Sequence, residues 1–289
     1  MTNLNLENFE ENLQRRINSQ IVTYFSSNSQ IQEAMEFSLT APGKRVRPLL
    51  IYLVGDIYNI PLERLDSLAL ASEIIHTYSL VHDDLPCMDD DDLRRGQPTL
   101  HKKYSESTAV LAGDAMQSLA VQIILEDEKL SNELKVSIIS LLMKNIGYKG
   151  MILGQEQDIS FEKKSVSKEE IIQMNYLKTG LLIEFSILAP LLIAQVEKNE
   201  WNKIAKNVGV AFQLVDDLLD LEESEENLGK ATNKDLFKNK KNLPLTLGRT
   251  ETTNEIEKFH HETMESFSKL RLNNHPLIIY IDNLFKRRS

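Results

Sequence analysis

One cysteine, Cys87, stands among 289 residues. No internal disulfide can form, and a lone thiol fits a reducing compartment. Glycine and proline are scarce, 11 and 8 in the whole chain, so a fold built from frequent tight turns is not expected. Basic residues are outnumbered, 33 Lys and Arg against 43 Asp and Glu, for a net charge of −10. That balance argues against nucleic acid as the main partner. The first eleven residues lack the basic-then-apolar order of a secretory signal, which gives a cytoplasmic expectation. The longest apolar run, Leu181 to Val196, carries Glu184 and Pro190 and is short for a bilayer crossing. A buried helix is expected there, and no integral membrane segment.

What the chain has in quantity is apolar residues at helical spacing, with few segments that alternate like strands. The expectation is an all-α protein. No linker, composition break or internal repeat divides it, so residues 1–289 are expected to form a single domain. Leu4 to Phe25 reads as an amphipathic first helix, with Leu6, Phe9, Leu13, Ile17, Ile21 and Phe25 on one side. Leu65 to Asp84 reads as one helix, and so does Ser107 to Leu125, in which Asp114 is expected to be buried and hydrogen-bonded. Ser131 to Ile159 gives one helix or a broken pair. Lys168 to Val196 is interrupted at Lys178-Thr179-Gly180, because glycine in a helix costs about 1 kcal/mol relative to alanine. Trp201 to Leu221 and Pro276 to Phe285 follow, the latter leading into a basic tail, Lys286-Arg287-Arg288.

The chemistry concentrates in His82-Asp83-Asp84-Leu85-Pro86-Cys87-Met88-Asp89-Asp90-Asp91-Asp92-Leu93-Arg94-Arg95. So much like charge repels itself until a cation binds. Carboxylate oxygens suit hard divalent metals such as magnesium, which takes one or two of them and completes its shell with water and substrate phosphate. Pro86 ends or bends the helix, which is expected to bring Asp89 back near Asp83. A second set, Asp216-Asp217-Leu218-Leu219-Asp220, sits in another apolar run; Gln213, Asp216 or Asp217, and Asp220 share a face there. Two such sets suggest one metal-filled cavity. Arg94 and Arg95 offer planar donors to phosphate, and the loop Gly43-Lys44-Arg45-Val46-Arg47-Pro48 offers three more cations before a helix start. His76 lies two turns before Asp83, on the same face, and Tyr78 lies below Asp83 toward the apolar interior.

This ordered set resembles the trans-isoprenyl diphosphate synthase family, from about Gly43 to Pro244. The matching stretches are Gly43 to Pro48, Asp83-Asp84 with Asp89 and Arg94-Arg95-Gly96, Leu111 to Ala115, Gly154-Gln155 with Asp158, Lys178-Thr179-Gly180, and Phe212-Gln213 with Asp216, Asp217 and Asp220. The resemblance implies antiparallel helices around a deep central cavity, usually a homodimer, and condensation of an allylic diphosphate with isopentenyl diphosphate. It implies that Lys44, Arg47, His76 and Arg95 hold isopentenyl diphosphate, and that Arg94, Lys178, Thr179, Gln213 and Lys230 hold or support the allylic diphosphate. Asp83, Asp89 and Asp216 would ligate magnesium, with Asp84, Asp217 and Asp220 in support. A bulky Tyr78 resembles the family's fifteen-carbon pattern, which points to farnesyl diphosphate as product. A geranylgeranyl or geranyl diphosphate synthase and a non-catalytic helical partner subunit are the alternatives. Two positions depart from the family pattern: Asn233 stands where glycine is usual, and Leu243 where tyrosine is usual.

Overall fold

The protein is described by a computed structural model covering residues 3–24, 29–162, 164–228, 241–272 and 275–287. Among these, only two strands of two residues each interrupt an otherwise all-α chain. The chain divides into two compact units, Met1–Ile139 with Ala189–Gln195, and Ser140–Leu188 with Val196–Ser289.

In the first unit, α1 (Asn3–Tyr24) turns Leu13, Ile17 and Ile21 inward at a spacing of four residues. Phe25 and the side chain of Leu6 lie outside the described residues. Ser29 caps α2 (Gln30–Thr40) by accepting a bond from the Gln32 amide. A loop leads to α3 (Val46–Ile57), and a short 3-10 turn leads to α4 (Asp66–Asp83), the helix that carries most of the predicted chemistry. At its base the Asp66 carboxylate accepts bonds from Arg16 at 2.7 and 2.6 Å and from the Tyr52 hydroxyl at 2.8 Å, tying α4 to α1 and α3. Leu68, Leu70, Ile74, Ile75 and Val81 of α4 are buried, each contributing about 1.5–3 kcal/mol. After α5 (Leu100–Lys103), α4 packs most extensively on α6 (Glu106–Glu126), whose Ala109, Ala112 and Ala120 permit close approach.

Asp114 is not buried. The inward face of α6 carries Ala109, Ala112, Gly113, Met116 and Ala120, and helical phase puts Asp114 outside with Val110, Leu111 and Ser118. Its side chain is exposed, and its backbone carbonyl accepts a bond from the Ser118 hydroxyl.

Helix α7 (Asn132–Ile146) ends before a turn at Gly147 to Gly150, so the region expected as one helix or a pair is a pair, completed by α8 (Met151–Phe161). In the second unit, a capping box of Ser167 and Glu170 starts α9 (Lys168–Asn175). The chain then winds through a π turn, Tyr176–Gly180, into α10 (Leu181–Ala194). Then come α11 (Asn199–Leu228), α12 (Leu243–Leu247), α13 (Arg249–Lys269) and α14 (Pro276–Phe285). Helix α11 packs along α13, with Trp201 edge-on to Phe267 at 6.1 Å between ring centres. Leu243 is fully buried.

Among the described residues, Glu106–Glu126, Asn132–Phe161 and Lys168–Ala194 are long and apolar enough to cross a membrane by length and composition. The last is longer than the apolar run in the sequence suggests, because helix continues through the π turn. Of its most apolar 18-residue stretch, 78% is buried within the protein, as in a core helix.

Candidate active site

Helix α4 stops at Asp83, three residues before Pro86, which disfavours helix in the residue preceding it. The Asp89 amide then donates to the Asp83 carbonyl at 2.8 Å, and the Met88 amide to the Leu85 carbonyl at 2.8 Å. Asp89 is thus folded back beside Asp83, as Pro86 suggested, with Cys87 exposed between them. Asp84 turns inward and is 3% exposed. Its Oδ1 accepts from Arg94 Nε at 2.9 Å and from Nη2. Burial pushes the Asp84 carboxyl up and the Arg94 bond opposes this; the net is a rise. Asp91 also pairs with Arg94, at 3.2 Å, and Asp92 with Lys102, at 2.8 Å. Arg94 belongs to a two-residue strand, β1 (Leu93–Arg94), paired antiparallel with β2 (Gln97–Pro98). The linking residues Arg95 and Gly96 have φ of 54° and 77°, the type I′ turn that suits the twist of a hairpin. Arg95 Nη1 donates to the Pro42 carbonyl at 2.7 Å.

The cations gather on the same unit. Lys44 is exposed on the loop before α3, and Arg47 is buried in that helix's first turn. His76 is held well below the usual imidazole value by burial, and then by Arg47, Arg95, Arg45 and Arg94. It is a neutral ring among guanidiniums, and it can donate to an anion without adding to the local repulsion. Tyr78, 5% exposed, lies edge-on to His82. Burial and the neighbouring Asp83 push its hydroxyl up to about 12.

In the second unit Lys178 sits in the π turn and pairs with Asp158. Such turns recur at functional sites because they re-aim side chains. Thr179 donates to Gln213 Oε1 at 2.7 Å, and Gln213 Nε2 donates to Asp217 Oδ1 at 2.9 Å. Asn175 Nδ2 reaches Asp217 Oδ2 at 3.4 Å. Of the two aspartates the spacing left open, Asp217 is therefore Gln213's partner. It is 7% exposed, and burial first, then Asp220 and Asp216, pushes it up to about 7 against the bonds from Gln213 and Asn175. Asp216 meets Arg287 of the tail at 3.0 Å, with that guanidinium 4.4 Å from the Phe212 ring centre. Asp220 is exposed. Lys230, Asn233, Lys234 and Arg288 lie outside the described residues.

Sequence reasoning missed Asn175, and it missed the partnership of Arg45 with Glu73. Glu73 had a visible mark, as the one charge in the apolar run Leu68 to Ile75; buried Asn175 had none.

A polyprenyl synthetase family model matches residues 28–271. The chain belongs to the polyprenyl synthetase family. This synthetase is 39% identical over 271 residues to a farnesyl diphosphate synthase of Micrococcus luteus, covering 92% of each. It is 38% identical over 265 residues to a chloroplastic geranylgeranyl pyrophosphate synthase of Capsicum annuum, covering 89% of this chain and 71% of that one. A solved Helicobacter pylori geranyltransferase, complexed with magnesium and isoprenyl diphosphate, superposes with a TM-score of 0.82 at 31% identity, covering 99% of this chain and 97% of that one.

That Helicobacter pylori relative holds magnesium, and the residues of this chain fit the ion. Asp83 and Asp89 are hard oxygen donors drawn together by a backbone bond. Asp216 already draws a cation, the Arg287 guanidinium. No ready-made group of three or more His, Cys, Asp or Glu ligands is found among the described residues. Magnesium needs only one or two carboxylates when substrate phosphate and water supply the rest.

Proposed function

We propose that this polyprenyl synthetase condenses isopentenyl diphosphate with dimethylallyl diphosphate and then with geranyl diphosphate, giving farnesyl diphosphate. One observation carries the reading: α4 brings a neutral His76 among guanidiniums and, two turns on, the Asp83–Asp89 carboxylate turn. One surface suits a diphosphate directly, and the other suits a diphosphate that arrives with a metal. A chain with only one diphosphate substrate would not need both.

Lys44, Arg47, His76 and Arg95 hold isopentenyl diphosphate. Arg94, oriented by Asp84, and Lys178, oriented by Asp158, hold the allylic diphosphate; Lys230 is assigned there too. Thr179 and Gln213 support the allylic diphosphate site by way of Asp217, to which their hydrogen-bond chain leads. Asp83, Asp89 and Asp216 hold magnesium, with Asp84, Asp217 and Asp220 supporting. Bound magnesium acts as a Lewis acid on the leaving diphosphate. The fixed cations stabilise the charge that develops as the allylic carbon–oxygen bond breaks. The double bond of isopentenyl diphosphate attacks the carbocation, and the released diphosphate takes the proton lost from the adjacent carbon. Apolar helix walls keep water from the cation. Tyr78, buried below Asp83, sets product length. The reading carries a homodimer and a cytoplasmic location with it. The exposed apolar residues of α6, Val110 at 40%, Leu111 at 54% and Leu125 at 52%, support the dimer.

The test is product length. Purified protein with magnesium, isopentenyl diphosphate and dimethylallyl diphosphate, followed by dephosphorylation and chromatography, should yield a fifteen-carbon alcohol. The similar identities to a farnesyl and a geranylgeranyl synthase, 39% and 38%, favour one second reading, a twenty-carbon product. No product, even from geranyl diphosphate, would overturn the assignment as an enzyme.

A further inference from the structure

Arg45 stands between the two cations assigned to isopentenyl diphosphate, yet its side chain is taken up by partners within the protein. It is 5% exposed. Its backbone has φ 50° and ψ 38°, the left-handed region that a side chain rarely adopts. The strained conformation lets the guanidinium reach four partners. Nε donates to Asn18 Oδ1 of α1 at 3.1 Å. Nη2 donates to the Leu39 carbonyl at 2.7 Å and the Ala41 carbonyl at 3.1 Å. Nη1 donates to Glu73 Oε1. Leu39 lies in the last turn of α2, where carbonyls have no partner within their own helix. Glu73 is 2% exposed and sits on α4 one turn before His76.

The loop is gripped from its other side as well. Arg95 donates to the Pro42 carbonyl, and its guanidinium occupies the space a side chain at Gly43 would need, with Nη1 2.3 Å from where a Cβ would stand. Residues 41 to 43 are thus held between two guanidiniums, one buried and one at the surface. Lys44 and Arg47 follow directly, so their placement depends on that grip. Glu73 is the buried counter-charge, and without it Arg45 would carry an uncompensated charge in the interior.

We infer that Arg45 and Glu73 are positioning residues for isopentenyl diphosphate: neither touches the substrate, and together they fix the loop and helix start that present Lys44 and Arg47. This rests on the function proposed above.

The test is steady-state kinetics with isopentenyl diphosphate and geranyl diphosphate varied separately, for Glu73→Gln and Arg45→Lys. Lysine keeps the charge but loses the fork that spans two carbonyls and a carboxylate. The KM for isopentenyl diphosphate should rise about tenfold or more, the loss of one or two charge-assisted bonds. The KM for geranyl diphosphate should stay within about twofold of wild type, because the carboxylate turns are untouched. If single variants unfold, the paired Arg45→Met/Glu73→Leu variant removes both buried charges at similar volume. It should melt cooperatively by circular dichroism and show the same selective rise. Unchanged affinity for isopentenyl diphosphate in the folded pair variant would overturn the inference, and so would an equal rise in both KM values. A wild type that condenses nothing would overturn the functional reading itself, and this inference with it.

Discussion

Asp217 is a carboxylate that the fold holds at a cost, and the cost can be measured. Burial, with Asp216 and Asp220 nearby, raises its pKa to about 7. The folded value lies above the unfolded one. The associated stability is therefore fully present below about pH 4 and is lost as pH rises through about 7. At about 1.4 kcal/mol per pKa unit, the metal-free protein should be about 4 kcal/mol less stable at pH 8 than it would be with this group neutral. Asp217→Asn supplies that neutral group in the same shape. Gln213 can still donate to it, but Asn175 must turn its amide round to accept, at a cost of about 1 kcal/mol. The expected net gain is about 3 kcal/mol at pH 8, shrinking to almost nothing at pH 5. Urea unfolding in EDTA, followed by circular dichroism at both pH values, reads this as a separation of midpoints that opens with pH. Parallel behaviour of variant and wild type from pH 5 to pH 8 would refute the reasoning.

Tyr78→Ala should lengthen the product beyond fifteen carbons without abolishing condensation, checked by chromatography of the dephosphorylated alcohols; an unchanged length sinks the role given to Tyr78. Arg287→Ala should tighten magnesium binding several-fold in calorimetric titration, because the guanidinium and the metal compete for Asp216; weaker or equal binding would count against Asp216 as a ligand. For Asp66, burial works against the charge, but bonds from Arg16, Gln20 and Tyr52 outweigh it and hold the pKa below the usual value. That stabilisation is present above about pH 4 and is lost as pH falls through the lowered folded value. Asp66→Asn should accordingly lower the urea-derived stability by about 1–3 kcal/mol at pH 7, and by much less at pH 3.

Periodicity gave most of the long helices, because an apolar face has a spacing set by one turn of backbone; α2 and α13 were not among those read from it. The return of Asp89 to Asp83 was legible for a similarly local reason: a proline ends a helix within a few residues. Asp114 shows where local reasoning fails. Small residues on both sides of it suggested an interior, but burial depends on which side of α6 meets α4, and a shift of one residue turns a side chain by about 100°. The partners of Arg45 and Arg287 were illegible because they stand 28 and 71 residues away in the chain. The basic tail could be suspected of covering an anionic site, but nothing in the spacing named Asp216. Asp217 could not be told from Asp216 by spacing, since both are compatible with Gln213 at three or four residues. A hydrogen bond decided between them.

The two-residue ladder of Leu93–Arg94 against Gln97–Pro98 resolves an apparent redundancy. Adjacent arginines look interchangeable on paper, but Arg94 ends the strand while Arg95, at a φ of 54°, opens the turn, so the two side chains leave the backbone in different directions. One of the pair therefore answers to Asp84 and the other to the Pro42 carbonyl. The dipeptide works as a fork whose two tines serve different customers, and the split between them is set by the tight turn that closes the ladder. Lengthening that turn by one residue would delete neither charge, yet each would be delivered to the wrong address.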